Sequence, residues 1–236
     1  MGYDVSFHPI TPTEMKAWYF TPLEWVKQGK ETKVLELAST SGMEDFYAEK
    51  YLNTLKVGAA TENTELFDKS HGFYIAVIQG FFRDYYYTRG SAFSFLVKQK
   101  PEYQCYVTPW NRIIPNGFPN PVKNQIMENY CSGMYLAPVQ VAELLRDLER
   151  VPKLHADFEE LWCEGQLDVL KKALDAAQEL NCGLLEATEV IAPNPISPND
   201  SICYSNLFHC DRDGIYLYID TAMKQIAQAM KQETNK

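Results

Sequence analysis

Between Phe73 and Leu96 the sequence reads FYIAVIQGFFRDYYYTRGSAFSFL, with nine aromatic side chains and three charges in twenty-four residues. A segment this apolar on nearly every side has to be enclosed, so the rest of the chain must fold around it. From Ser70 to about Tyr85 only Gln79 and Arg83 interrupt the apolar pattern, which predicts a central buried helix continuing through Tyr86. Gly80 within it predicts close approach by a neighbouring element, at a helix-propensity cost of about 1 kcal/mol. Arg89-Gly90 then breaks the pattern, and Ala92 to Val97 reads equally as strand or as a further helical turn.

The flanking sequence supplies elements to enclose that helix. Residues 3–8 (YDVSFH) alternate apolar and polar, the period of a strand. Thr11-Pro12-Thr13-Glu14 and Thr21-Pro22-Leu23-Glu24 both carry a threonine cap, proline at the first helical position and glutamate at the third. They predict two short helices, the second ending near Gly29. Ser41-Gly42-Met43-Glu44 repeats the capping pattern and opens a helix to about Val57. Four prolines in 109–121 (PWNRIIPNGFPNP) exclude regular structure there and suggest a seam.

Beyond the seam, 131–136 reads as a strand and Ala137-Pro138-Val139-Gln140 as a helix start. A longer helix follows from about Phe158 to Leu180, broken near Gly165, with Gly183 as its left-handed C-terminal residue. Residues 184–191 form a strand. A hairpin turning at Asp211-Arg212-Asp213-Gly214 joins 205–210 to 215–219, and Asp220 or Thr221 caps a last helix. The expected fold is α+β. A helix-rich N-terminal half (1–108) surrounds the buried aromatic helix, and a half of short strands and amphipathic helices (122–236) follows. Loop 109–121 joins them in a single domain.

Composition narrows function. With 46% hydrophobic residues the chain can bury a core without metal or disulfides. A net charge of −9 argues against nucleic acid and anionic membranes, both of which need a cationic face, and suits a basic protein partner. Nothing ahead of the first strand reads as a signal peptide, and the six cysteines form no CxxC pair, so a cytoplasmic chain with reduced, buried thiols is expected. MGYDVS fits a myristoylation pattern, but the same residues alternate as a strand.

No phosphate-binding glycine motif, GxSxG or S-x-x-K occurs, and the four histidines (8, 71, 155, 209) form no HxH or HExxH. No metal, cofactor or catalytic residue is therefore assigned. Two sets of candidates remain. Arg83, Tyr87, Arg89 and Ser91 lie among aromatic rings, where arginine can stack and still offer its donor fork to an anion. A pocket there would use the amides of Gly90 and Ser91 and the phenols of Tyr85 to Tyr87, with His8 or His71 as proton carrier. The competing reading is a helix end whose arginines pair with the chain's own acids, and it is favoured. Trp110, Arg112 and Phe118, on the proline-rich loop, are the candidates for partner contact.

The opening MGYDVSFHPI, together with SGMYLAPVQVAELLRDLERV and LDVLKKALDAAQELNCGLL, resembles uncharacterised bacterial proteins, some placed among immunity proteins of toxin–antitoxin-like competition systems. The likeness covers residues 1–10 and 131–185, leaves out the aromatic segment and the proline loop, and carries over no functional residue. It implies a non-enzymatic bacterial protein that binds, and so neutralises, another protein. The alternative is a small-molecule anion-binding protein or enzyme built around Arg89.

Overall fold

The first strand, β1 (Asp4–Ile10), is buried along its whole length, because it runs through the centre of a five-stranded sheet. The computed structural model describes residues 2–115, 118 and 120–234. After β1 come α1 (Pro12–Met15), a π-helical turn (Lys16–Phe20), α2 (Thr21–Lys27), α3 (Glu31–Thr40), α4 (Asp45–Ala60), α5 (His71–Phe82), β2 (Tyr85–Arg89) and α6 (Phe93–Gln99). Then follow β3 (Ser132–Leu136), α7 (Pro138–Arg150), α8 (Pro152–Leu161), α9 (Gln166–Glu179), β4 (Gly183–Thr188), β5 (Ile191–Ala192), β6 (Ile202–Cys203), β7 (Cys210–Asp211) and α10 (Asp213–Thr234).

The sheet order is β3-β4-β1-β2-β7, antiparallel except for the β2/β7 pair. β5 and β6 form a separate two-stranded ribbon. The architecture is α+β and rich in helix.

Alternation along the strands builds two cores. Val5, Phe7, Tyr86, Met134, Leu136 and Leu184 face one side, under α6 to α9. Ile10, Tyr85, Tyr87, Tyr135, Leu185 and Ala187 face the other, under α5 and the N-terminal helices. Loop 109–121 does not separate the packing into bodies, since β4 pairs directly with β1 and the sheet takes strands from both sides of it. Thr108 bridges Tyr135, and the buried Trp110 donates its indole N–H to the Gly133 carbonyl at 3.1 Å. One 3₁₀ turn, Trp110–Arg112, lies in the stretch expected to be irregular.

α5 is the expected buried helix: ten of its twelve residues are buried. Gly80 permits the close approach expected of it, because a Cβ there would stand 2.4 Å from Ser205 Oγ and 2.9 Å from the Tyr85 ring. The helix stops at Phe82, however, and does not reach Tyr86. Arg83 is extended, and Tyr85–Arg89 enter the sheet as β2. Consecutive tyrosines suit a strand covered on both faces, which hydrophobic periodicity alone does not separate from a buried helix.

Other expectations change for local reasons. The Thr11 capping box forms as read, with Glu14 N donating to Thr11 Oγ1 at 3.1 Å and Thr11 N to Glu14 Oε2 at 2.9 Å. The second short helix is α2, beginning at Thr21, but Thr21 does not cap it: the residue before it, Phe20, is already helical and no side chain caps there. The chain runs on through the π turn, in which Thr21 N–H bonds the Lys16 carbonyl. Pro22 has no N–H to offer Trp18, and the Tyr51 hydroxyl donates to that carbonyl instead, at 2.6 Å. Ser41 is the C-cap of α3, a helix missed because only Val34 and Ala38 are buried, and α4 starts one turn later than read, from Glu44.

The helix expected from Phe158 starts earlier, at Pro152, and is broken at Gly165 as expected, into α8 and α9. Asn181 at φ 52° takes the left-handed position expected of Gly183, which lies in β4. Glu189, at φ 61°, ends the expected 184–191 strand early. The expected hairpin at 211–214 is absent. Asp211 Oδ1 accepts from Asp213 N at 3.1 Å, and α10 starts there, well before Asp220. Cys105 and Cys163 are exposed thiols, contrary to the expected burial of all six.

Candidate functional site

The arginines of the aromatic segment are satisfied from within the fold. Glu14 accepts from Arg83 at 2.5 Å (Nη2) and 3.3 Å (Nη1) while still bonding the Thr11 amide, and the guanidinium lies 5.2 Å from the Trp18 ring centroid. At the other end of β1, Arg89 forms an ion pair with Asp4 and stacks 4.8 Å from the Tyr218 ring centroid. Tyr87 donates to the same Asp4 carboxylate at 2.6 Å, and its phenol is pushed well above the usual range by burial and by Asp4.

Ser91 Oγ donates to the Leu161 carbonyl (2.7 Å), Gly90 N to the Tyr3 carbonyl (2.8 Å) and Arg89 N to Gln166 Oε1 (2.6 Å). Tyr85 and Tyr87 face one core and Tyr86 the other, so the three phenols do not converge. Arg83 and Arg89 are likewise held apart, on Glu14 and Asp4 respectively.

His8 is spoken for as well. Its Nδ1 donates to Gln79 Oε1 at 2.7 Å, which leaves Nε2 to accept from Ser6 Oγ at 2.8 Å. Burial, opposed by the Gln79 bond, brings its pKa down to about 4. A neutral ring with both nitrogens engaged inside the sheet is a structural group. Glu186 plays a comparable part on the opposite face, where it accepts from the amides of Phe93 (2.7 Å) and Ser94 (3.1 Å) at the start of α6 and from Met134 N (2.9 Å). Burial pushes its carboxyl up and those donors pull it back.

Of the loop residues, Trp110 is fully buried, which corrects its assignment to partner contact. Phe118 is half-buried and packs edge-on against His71 at 4.6 Å. Of these three candidates only Arg112 is exposed.

Two surfaces absent from the sequence reading stand out. The first surrounds segment 202–208, where Ile202, Tyr204, Leu207 and Phe208 are exposed, Phe208 at 73%. Tyr204 packs edge-on against Tyr130 at 5.8 Å, and Lys50 reaches from below the exposed Phe46 ring to the Cys203 carbonyl at 3.0 Å. Exposed acids flank it, with Glu44, Asp45 and Glu49 around Phe46 and Asp200 before Ile202. Within the 205–210 stretch expected to be a strand, Leu207 and Phe208 read as ordinary core; the chain instead makes a 3₁₀ turn there and leaves both exposed.

The second is a cleft of about 600 Å³ between the π turn, α2, the residues after α4 and the N-terminus of α5. Lys16, Lys27 and Lys30 stand on its walls with Glu24, and the buried His71 lines it. Burial and the Lys27 charge bring His71 down to about 4. No family model, curated protein or solved structure matches this chain. Among the described residues no group of acids, histidines and cysteines is placed to hold a metal ion, and no helix is long and apolar enough to cross a membrane.

Proposed function

We propose that this chain is a non-enzymatic bacterial cytosolic protein that binds a basic protein partner, as an immunity protein binds and neutralises a toxin. The observation that carries the reading is the exposed aromatic surface at Phe46, Tyr130, Tyr204 and Phe208 with its acidic rim. Large apolar side chains left in water are costly unless a partner covers them, and aromatic anchors dominate the energetics of protein recognition. A net charge of −9 and acids at the rim steer a cationic partner and repel an acidic one. The resemblance of residues 1–10 and 131–185 to immunity-type proteins agrees with this reading. The absence of any recognised catalytic motif in the sequence is compatible with it.

The test is reconstitution. A stoichiometric basic partner is isolated from the native host, purified, and titrated with wild-type protein, Phe208→Ala and Tyr204→Ala. Loss of an anchor at the centre of such a surface weakens binding by about 2 kcal/mol, roughly thirtyfold. Neutralising Asp45 slows association and flattens its salt dependence. A partner that is acidic, or that binds both alanine variants as tightly as wild type, overturns the proposal.

A further inference from the structure

The His71 cleft supports a separate inference, which uses no part of the partner-binding surface. Tyr19 is fully buried and its phenol pKa is raised, first by burial, so it keeps its proton. Among the described residues its hydroxyl has one hydrogen-bond partner, His71 Nδ1. A buried O–H must donate, so Nδ1 is the acceptor, and in the neutral ring the proton then sits on Nε2. The network thereby fixes a tautomer whose Nε2–H has no acceptor among the described residues. His71 itself is only 2% exposed, and it lines the cleft. Its Nε2 is not among the fully enclosed unpaired atoms of the described residues, so the nitrogen meets the space of the cleft, where an acceptor can reach it.

Charge selects that acceptor. Among the described residues, Lys27 is partly neutralised by Glu24 at 3.4 Å, whereas Lys16 makes no ion pair and Lys30 hydrogen-bonds the neutral Gln28. Three lysines against one glutamate make the walls net positive in a chain whose net charge is −9. Phe20, Trp25 and Phe118 give the lining flat apolar surface, and Thr21, Gln28, Thr61 and Asn63 add neutral polar groups. The volume falls in the range of roughly 300–1,000 Å³ typical of small-molecule sites.

We propose that the cleft binds a small organic oxyanion, a phosphate ester or carboxylate on a flat apolar body. One anionic oxygen accepts from His71 Nε2–H, and Lys16 and Lys30 neutralise the charge. The ring walls exclude water from the apolar part, which strengthens the ionic contacts.

Calorimetric titration of the full chain with phenyl phosphate, benzoate, inorganic phosphate and benzyl alcohol tests this, alongside ¹⁵N spectra of the histidine rings. Phenyl phosphate or benzoate is expected to bind, and the tighter of the two assigns the head group. Inorganic phosphate and benzyl alcohol, each lacking one half of the recognised chemistry, should bind at least about tenfold more weakly. The double variant Lys16→Gln/Lys30→Gln, altered only at exposed positions, should lose about tenfold in affinity. His71 should show the Nε2–H tautomer without ligand and a shifted Nε2 signal with it, while His8 does not move. Failure of both aromatic anions to bind folded protein overturns the proposal. So does equal binding by the lysine variant, equal binding of benzyl alcohol or of inorganic phosphate, or a His71 signal that ligand leaves in place.

Discussion

The strand face around β1 and the cleft beside α2 contain the same kinds of group in opposite circumstances. On the strand face Arg83 and Arg89 each meet a carboxylate and cover an aromatic ring, and His8 has both ring nitrogens bonded. In the cleft, among the described residues, Lys16 and Lys30 meet no carboxylate and His71 has one nitrogen bonded. A cation or imidazole that the fold saturates serves stability, whereas one that the fold positions and leaves open has capacity for something else. Density of aromatic and charged letters in a sequence points to the first case, because that is where the fold has to resolve its own polar groups.

The sharpest way to break the contrast is acid. His8 titrates near 4 in the fold against 6.5 unfolded. Between those values the unfolded chain binds the extra proton, so stability rises with pH through this window and is lost as pH falls through it. At full effect His8 contributes about 3 kcal/mol. No charged group hydrogen-bonds its ring, so the loss should be insensitive to salt. Glu186, whose pKa is raised by burial, acts in the opposite direction: its contribution is present at low pH and fades as pH rises. Urea unfolding of wild type and His8→Gln at matched pH separates the two. The variant should lack the His8 part of the slope between about pH 4 and 6.5. An unchanged slope would mean that His8 is charged or solvated in the fold.

Replacing Asp4 tests the arginines. Asp4→Asn removes the charge that holds Arg89 and weakens the acceptor of the Tyr87 hydroxyl. Breaking a fully buried pair costs about 3–5 kcal/mol, but the Arg89 side chain keeps 26% exposure and water recovers part of that. The expected loss is about 2 kcal/mol, read from the urea midpoint at unchanged m-value. A double-mutant cycle with Arg89→Met should recover most of it, because the uncompensated charge is then gone. If Asp4→Asn is neutral, the strand-face cations are as free as those in the cleft, and the distinction fails.

How much of this was legible in the sequence depends on the range of the interaction. Thr11 and Glu14 are three residues apart, and their capping box was readable as written. α5 was readable because one apolar helix-length segment needs no partner to declare itself. The end of α5 was not, since Tyr85 to Tyr87 become a strand only through pairing with β1, some eighty residues earlier in the chain. The partners of Arg83 and Arg89, Glu14 and Asp4, are equally remote. That Lys16, Lys27 and Lys30 surround a histidine at position 71 follows from how α2 and α5 meet, which no local pattern displays. Trp110 looked like a contact residue because its neighbours are prolines, and it is buried because Gly133 offers its indole an acceptor.

The smallest expected effect is the most informative about the cleft. Lys16 and Lys30 are exposed and form no ion pair with the described residues, so replacing both by glutamine removes only the exposed hydrogen bond from Lys30 to Gln28. Surface substitutions of this kind change stability by about 0.5 kcal/mol or less. Here the sign should be positive at low ionic strength, because three like charges around one cavity repel and Lys27 has Glu24 to itself once the others are gone. Salt should erase the difference, since these charges face water and are screened within about 10 Å at 0.1 M. Thermal unfolding of wild type and double variant at low and high salt measures it. A clear loss of stability instead would mean that the lysines already have partners within the fold, and the cleft would then be one more saturated site like that at Arg89.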